Sequence, residues 1–392
     1  MKTTSLVQFA AATVALGLTA ACAPEPGQGD FPSFVREPAD RPVIGSGVAG
    51  LPTIVGDPCV LADADGYHLF YSAFFCHTPD GVASFSFDPQ RPEDCSFEHA
   101  FGTTAYAFSA DRGLTWEMRS TPVVTPGAHA WEGRDVETPW VVRTGDRLHL
   151  LYSAVGGPSD PLQLGAATLT LNGRSVREAL LTDQAVFETR PAPLIAADTD
   201  TPFGVTYAQE PSVVASDGRL ELFFVSLGLS RPGDRLDAPN QEARLALRVA
   251  VFGQDLAPLA PPSAPIATGV AANIPEVRAF DGRYHLFATT TETDNHEDDL
   301  LTYSVSDDGR QFTAPKTILR RRSGDAFDNW GLMAPTVVAE DDEVVLFYTA
   351  WESQAHHCVW SGPGGRLGTA DESRPQDARC LYGTLGRAVS PR

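Results

Sequence analysis

The chain has 392 residues, of which 34 are glycine and 31 are proline, and it carries a formal net charge of −21. This much glycine and proline argues against a mostly helical protein and leaves either two ordinary domains or one large all-β domain. Because an acidic surface repels polyanions, the charge excludes nucleic acid as a partner and favours a neutral or cationic ligand.

The N-terminus has the layout of a secretion signal. A largely apolar stretch from Leu6 to Leu18 is followed by small residues directly before Cys22. These small residues resemble a bacterial lipobox, which implies that Cys22 receives lipid and becomes the mature N-terminus. The alternative is a plain secreted protein in which Cys22 is incidental. We therefore predict an exported chain, either anchored to the cell envelope or released, whose contact with a membrane is limited to the lipid.

Three regions follow from this interpretation and from composition. They are a signal (1–21), a flexible tether rich in proline and glycine (22–42) and a globular propeller (43–392). Export favours disulfide bonds, and two pairs are predicted, Cys76 with Cys95 and Cys358 with Cys380. Cys59 is left over inside an apolar strand, where a buried free thiol is expected rather than a nucleophile.

Five copies of one unit follow the tether. Each unit has a proline, a short β-branched run, a turn carrying Asp-Gly or a similar pair, and an aromatic-rich run that begins nine residues after the proline. The five prolines are Pro58, Pro139, Pro211, Pro275 and Pro335. Further strand-like segments follow each hairpin, so that about 60 to 80 residues hold four strands. This spacing predicts an all-β protein, a five-bladed β-propeller of four-stranded antiparallel blades.

Two segments predict tight turns between outer strands. Residues 109–116 match the Asp-box of sialidase-like propellers, and residues 306–312 are a looser turn of the same kind. Since Asp and Gly are the residues that such turns need, a structural role is expected for both.

The residues beside the repeated prolines are the candidate site, because the first strand of each blade lines the axis of a propeller. Reading across the blades, these residues are Asp57, Glu137 with Thr138, Glu210, Asn273 with Glu276, and Met333. Carboxylates are present in four blades of five. They are expected to converge at one mouth of the central channel.

This arrangement resembles the five-bladed glycosidases of the arabinanase, invertase and levansucrase type, which form glycoside hydrolase families 43, 32 and 68. Asp57-Pro58 matches the acid that opens blade one, and Glu210-Pro211 matches the acid of blade three without the residue that family members commonly place before the proline. The segment from Asp135 to Pro139 also resembles family 130, with Thr138 in place of an Asp.

The resemblance implies roles for four acids. Asp57 would activate water or act as nucleophile, Glu210 would protonate the leaving oxygen, and Glu137 or Asp135 would tune the pKa of the acid. Such chemistry needs one protonated and one ionised carboxyl group at the same pH, which packing of like charges can provide. The other interpretation is that each acid caps its strand or pairs with an arginine such as Arg134 or Arg278.

Aromatic side chains are expected to stack on the sugar rings of a carbohydrate ligand. The candidates lie beside blade entrances or at the ends of second strands, and they are Trp131, Trp140, Trp330 and Trp351. Asn273 and Glu276 are further candidate contacts to the substrate.

Histidines and acidic loops offer weaker signals for a metal. His68, His149 and His285 occupy one repeat position and are expected to be packing residues of the blades rather than a metal cluster. His356-His357 could contact a metal or the substrate, or form an ordinary surface pair. The loop 294–299 is either a solvated loop or a structural Ca²⁺ site, and no other cofactor is expected.

The sequence is compatible with three functions. The first is a monomeric glycoside hydrolase that acts outside the cytoplasm. The second is a propeller that binds glycan or protein and has no catalysis, since fold alone does not determine function. The third is phosphorolysis, which would need a cationic phosphate site that this acidic chain does not favour.

Overall fold

The structure is a computed structural model that describes residues 34–45, 54–77, 83–84, 100–157, 160–182, 187–201, 204–228, 244–263, 266, 268, 273–290, 300–354 and 380–392. The predicted fold class is confirmed, because five blades of four antiparallel strands form a β-propeller. No helix of the described residues has the length and apolar character that crossing a membrane requires. The signal, Cys22 and the loops that hold Cys95, Cys358, His356-His357 and 294–299 lie outside the described residues.

The strands are numbered along the chain, beginning with β1 (Val35–Arg36), which belongs to blade five. Blade one consists of β2 (Ile54–Asp63), β3 (Gly66–His77), the short β4 (Ala83–Ser84), β5 (Ala100–Ser109) and β6 (Glu117–Met118). Blade two consists of β7 (Asp135–Thr144), β8 (Arg147–Val155), β9 (Gln163–Thr170) and β10 (Glu188–Thr189), with helix α1 (Val176–Leu181) before β10.

Blade three consists of β11 (Asp198–Thr201), β12 (Gly204–Ser216), β13 (Arg219–Gly228), β14 (Arg244–Gly253) and β15 (Pro258–Ala260). Blade four consists of β16 (Asn273–Phe280), β17 (Arg283–Thr290), β18 (Leu300–Ser306) and β19 (Lys316–Leu319). Blade five consists of β20 (Gly331–Ala339), β21 (Glu343–Gln354), β22 (Cys380–Pro391) and, at its outer edge, β1.

The inner strands β2, β7, β12, β16 and β20 contact one another in a closed ring around the axis. Second strands such as β8 are buried along almost their whole length, because both of their faces pack against neighbouring blades. This explains why the aromatic-rich runs of the repeat do not alternate with polar residues. Their largest side chains, Tyr71, Tyr152, Phe223, Phe287 and Phe347, have at most 1% of their surface exposed.

Each inner strand contains a β-bulge at the repeated proline. The residue before the proline has a positive φ in every blade: Asp57 (48°), Thr138 (49°), Glu210 (58°), Ile274 (43°) and Ala334 (50°). The pairing register with the second strand shifts at the same point in all five blades. A bulge tolerates the missing proline N–H, so the proline lies inside the inner strand and not at its start. The pre-proline residues are thereby held in an unusual conformation at the axis.

Side-chain hydroxyls connect neighbouring blades at these bulges. At four junctions the N–H of the pre-proline residue donates to a Ser or Thr of the preceding blade. The pairs are Asp57 with Thr349 (2.8 Å), Thr138 with Ser72 (2.8 Å), Glu210 with Ser153 (2.8 Å) and Ala334 with Thr289 (3.0 Å). A side-chain carboxyl group replaces the hydroxyl at the remaining junction, between blades three and four.

Two segments that are far apart in the chain, one before β2 and one at β22, complete blade five. β22 is its third strand, β1 pairs with β22 as the fourth, and Ile44 forms an isolated bridge with Leu385. Ion pairs from Arg36 to the buried Asp328 and from Glu37 to Arg387 hold this segment in place. The structure therefore places residues 34–42, which composition had assigned to the tether, on the propeller.

Buried polar side chains also form hydrogen bonds inside the blades, at positions distant from the axis. His68 Nδ1 lies 2.8 Å from the Tyr106 hydroxyl, and His285 Nδ1 lies 2.9 Å from the Tyr303 hydroxyl. His149 is also buried. Burial lowers the pKa of all three histidines, and that of His285 falls to about 4, so they are neutral packing residues near pH 7. Cys59 is free and buried, and burial raises its pKa to about 12.

The Asp-box turn of blade one yields a stability prediction. Gly113 has a φ of 83°, and a Cβ there would lie 2.3 Å from the Phe347 ring. We expect Gly113→Ala to lower the free energy of unfolding by about 2 to 4 kcal/mol, because backbone strain and overpacking add together. Urea denaturation measures the loss. Gly145→Ala is the matched control, since Gly145 has a φ of 60° but no atom within 4 Å of the added Cβ. Equal losses in both variants would contradict the packing argument.

Candidate active site

A cavity of about 240 Å³ opens on the axis at the end of the propeller where the inner strands begin. Residues from all five blades line it: Ile54, Gly56, Asp57, Phe74, Glu137, Thr138, Glu210, Ile274, Met333, Thr349 and Trp351. Three of the four predicted catalytic acids, Asp57, Glu137 and Glu210, therefore share one cavity. No lining residue among those that the structure describes is basic.

Asp57 lies in the bulge of β2. Its backbone N–H donates a hydrogen bond to the Thr349 hydroxyl, which connects this part of β2 to blade five. Burial raises the pKa of Asp57 to about 6, and a hydrogen bond with the Ser72 side chain opposes the increase. The carboxyl group is thus mainly ionised at pH 7 while remaining basic enough to accept a proton.

Glu210 lies in the bulge of β12 and has 8% of its surface exposed. One carboxyl oxygen, Oε1, accepts a hydrogen bond from the Gln209 side chain at 3.0 Å. The other oxygen, Oε2, accepts the Ile274 N–H of blade four at 2.6 Å. Burial is the main cause that raises the pKa of Glu210 to about 8, and the Asp57 charge adds to it. Glu210 is therefore mainly protonated at the pH where Asp57 is ionised.

Glu137 precedes the pre-proline residue of blade two by one position, yet it also lines the cavity. The bulge allows Glu137 and Thr138 to border the cavity together, as Gly56 and Asp57 do in blade one. Burial first, and then the charges of Asp135, Asp57 and Glu210, raise the pKa of Glu137 well above its ordinary value. The Thr138 hydroxyl bonds to that of Ser153.

Asp135 is not among the residues that line the cavity. Its Oδ1 accepts the Gly102 N–H of blade one at 2.7 Å, and its Oδ2 lies 3.3 Å from Arg134 Nε. Burial raises the pKa of Asp135, while Gly102 and Arg134 oppose the increase. Asp135 is thus paired with an arginine, as the alternative interpretation expected, and its charge raises the pKa of Glu137 in the cavity.

Glu276 lies deeper along the axis, where the channel narrows between the repeated prolines. It forms an ion pair with Arg278 and accepts the Val337 N–H at 3.0 Å. The Arg278 guanidinium lies 4.4 Å from the centre of the Trp140 ring. Glu276 and Trp140 line this narrow part of the channel together with the repeated prolines, and neither is among the residues that line the open cavity. The Asn273 side chain lies outside the described residues.

Among the predicted stacking residues, Trp351 lines the cavity, and its indole N–H points to the Met333 sulfur at 2.7 Å. Trp131 instead stacks on Tyr152 within blade two, with ring centres 6.4 Å apart, and neither Trp131 nor Trp330 lines the cavity. Phe74 does line it, although we did not predict this. Phe74 comes two residues after Ser72, and Trp351 comes two residues after Thr349. Ser72 and Thr349 accept equivalent backbone hydrogen bonds in their blades, so alignment of the repeats could have predicted Phe74 as a cavity residue.

The described side chains supply acid and base chemistry beside apolar walls. A basic carboxylate and a protonated carboxyl group are available at the same pH, with aromatic faces next to them. No group of three or more His, Cys, Asp and Glu side chains within the described ranges is arranged to hold a metal ion.

Comparison with known proteins identifies the architecture. No protein-family model matches the sequence, and no curated protein matches it significantly. Solved structures do match the fold. The GH43_1 enzyme from Xanthomonas citri complexed with xylotriose is similar with a TM-score of 0.51 and 16% identity, covering 79% of this chain and 84% of that one. A thermostable family-43 glycoside hydrolase gives a TM-score of 0.54 and 15% identity, covering 88% and 91% of the two chains.

A third similar structure is CoXyl43, described as a GH43 β-xylosidase/α-arabinofuranosidase from a compost microbial metagenome. It gives a TM-score of 0.50 and 14% identity over 87% of this chain and 94% of that one. At these identities the likeness shows a shared five-bladed fold over nearly the whole length of both proteins.

Proposed function

We propose that this protein is a glycoside hydrolase that cleaves neutral glycosides in its axial cavity. The observation that carries the proposal is that Asp57 and Glu210 line one cavity with pKa values displaced to about 6 and about 8. Glycoside hydrolysis needs such a pair, with one carboxylate and one carboxylic acid on opposite sides of the bond. The fold shared with family-43 enzymes, some crystallised with xylotriose, agrees with this function.

In the proposed reaction the protonated Glu210 donates its proton to the glycosidic oxygen while the bond from that oxygen to the anomeric carbon breaks. In one route, ionised Asp57 removes a proton from the water that attacks this carbon, which gives inversion. In the other route, Asp57 attacks the carbon and forms a glycosyl ester; Glu210, now ionised, then takes a proton from the water that displaces Asp57, which gives retention. Glu137 is coupled to both groups, because burial and the charges of Asp135, Asp57 and Glu210 raise its pKa, so the three acids of the cavity are not all ionised together. Trp351 and Phe74 provide apolar faces for the sugar ring.

Neutral substrates are proposed because of the charges around the cavity. Ionised Asp57 lines it with no basic side chain among the described residues, so an anionic sugar would meet repulsion without compensation. We also propose that the enzyme is a monomer that acts outside the cytoplasm, either released or attached by lipid at Cys22. Mass spectrometry of the mature N-terminus tests the attachment.

We expect a bell-shaped dependence of kcat/KM on pH. Activity should rise as Asp57 loses its proton near pH 6, because the base acts when ionised, and fall as Glu210 loses its proton near pH 8, because the acid acts when protonated. The optimum should therefore lie near pH 7. Release of 4-nitrophenol from a panel of neutral pentosides and hexosides measures the profile. A profile with neither limb between pH 5 and 9 would reject the assigned pair.

A propeller that binds glycan without cleaving it is the second candidate. The specific observation in its favour is that the pre-proline position of blade two carries Thr138 instead of an acid. Saturable glycan binding by calorimetry, together with no release of reducing sugar over days, would select this function over hydrolysis.

A further inference from the structure

One junction of the propeller is built differently from the other four, and it is the junction that contains Glu210. At the register position that pairs with the residue two before the proline, four blades place a hydroxyl and blade three places a valine. The pairs are Gly56 with Ser72, Glu137 with Ser153, Gln209 with Val225, Asn273 with Thr289 and Met333 with Thr349. Val225 is fully buried.

The missing hydroxyl has a direct consequence for the next blade. Each of the other four hydroxyls accepts the N–H of the following pre-proline residue at 2.8 to 3.0 Å. The N–H of Ile274 finds no hydroxyl at Val225 and donates to Glu210 Oε2 at 2.6 Å. A buried N–H needs an acceptor, so the Glu210 carboxyl group takes the place of the missing hydroxyl.

We propose that Val225 is a positioning residue. Because Val225 lacks the hydroxyl that the other blades carry, the Ile274 N–H donates to Glu210 instead, and this hydrogen bond determines the direction of the Glu210 carboxyl group. Gln209 holds Oε1 from the other side at 3.0 Å. With one protein donor on each oxygen, the remaining lone pairs, and the proton when it is present, are left for the cavity. The catalytic consequence rests on the proposed function, whereas the exchange of acceptors does not.

The ionisable groups near Glu210 determine how its pKa should respond to a change at Val225. Asp57 and Glu137 share the cavity with Glu210, while Glu276, paired with Arg278, lines the channel below it. Within the described residues, the Ile274 N–H donates to Glu210 and to none of these other acids. The Ile274 N–H lowers the pKa of Glu210, so removal of this donor should raise it.

The test is Val225→Thr, which is nearly isosteric and supplies the missing hydroxyl. The titration of Glu210 is followed by NMR of protein with ¹³C-labelled glutamate carboxyl groups, and Glu210→Gln assigns the signal. We expect the midpoint to move upward by about one pH unit, as for the loss of one charge-assisted hydrogen bond. In parallel, the alkaline limb of the pH profile should move upward, and kcat should fall about tenfold with little change in KM.

Three further variants make the result decisive. Val225→Ser supplies the hydroxyl at smaller volume if the threonine variant does not fold. Val225→Ala removes volume without adding a hydroxyl, and Thr289→Val removes the hydroxyl at the junction to Ala334, so both should leave the Glu210 midpoint in place. An unchanged midpoint in Val225→Thr and Val225→Ser overturns the proposal. A shifted midpoint in a protein that cleaves no glycoside would keep the positioning role and reject the proposed function.

Discussion

Replacement of Asp57 by Asn is expected to lower kcat by about 10²- to 10⁴-fold, because the variant loses the carboxylate that activates water or attacks the sugar. The change keeps the shape of the side chain. The backbone hydrogen bond from residue 57 to Thr349 is independent of the side chain, so the bulge should remain intact. The measurement is kcat and KM on the best neutral 4-nitrophenyl glycoside, with circular dichroism and thermal unfolding to verify the fold.

Asp217→Asn is the matched control for this variant. Asp217 is exposed in the hairpin turn of blade three and has a φ of 40°, a conformation that Asn tolerates well. Its activity should equal that of the unmodified protein. If Asp57→Asn retains full activity on a substrate that the purified protein cleaves, Asp57 is neither base nor nucleophile, and the assigned mechanism fails.

Replacement of Glu210 by Gln should produce a loss that depends on the leaving group. Natural glycosides leave as poorly stabilised alkoxides and need the proton, so kcat should fall by about 10²- to 10⁴-fold. Aryl glycosides with an acidic phenol, such as 2,4-dinitrophenyl glycosides, need little protonation and should be affected much less. The decrease of activity near pH 8 should also disappear, since Glu210 is the group assigned to that limb.

The comparison of leaving groups separates acid catalysis from a general structural defect. Glu188→Gln, at an exposed position on β10, provides the control for the same chemical change away from the cavity. An equal loss on activated and natural substrates would show that Glu210 does not act as the proton donor. Loss of glycan binding together with activity would point to a role in holding the ligand.

Local patterns in the chain were sufficient to predict the propeller. A proline, a turn of Asp and Gly and an aromatic run recur five times at a fixed internal distance. Asp57 and Glu210 lie beside these prolines and could be predicted to face the axis, because the inner strand passes the axis at the same point in every blade. The turns and strands of each hairpin depend on residues that are close together in the sequence. Because the same pattern recurs five times, it can be recognised with more certainty than a single copy.

The tertiary structure decided which of the neighbouring acids face the cavity. Asp135 and Glu137 are both acidic residues beside the same proline, but Glu137 lines the cavity while Asp135 is held by Gly102 and Arg134. Among the aromatic candidates, only packing distinguishes Trp351 at the cavity from Trp131 against Tyr152.

The sequence alone therefore determined the number of blades, the hairpin in each and the position of the pre-proline acids, because these follow from periodicity and turn chemistry. Only the tertiary structure decided the direction of each carboxyl group, the addition of residues 34–42 to blade five and the transfer of the Ile274 N–H to Glu210. The physical reason is that direction, burial and pKa depend on groups that lie far apart in the chain. Glu210 and Ile274 are separated by 64 residues, and their hydrogen bond exists because Val225, on a third strand, lacks a hydroxyl.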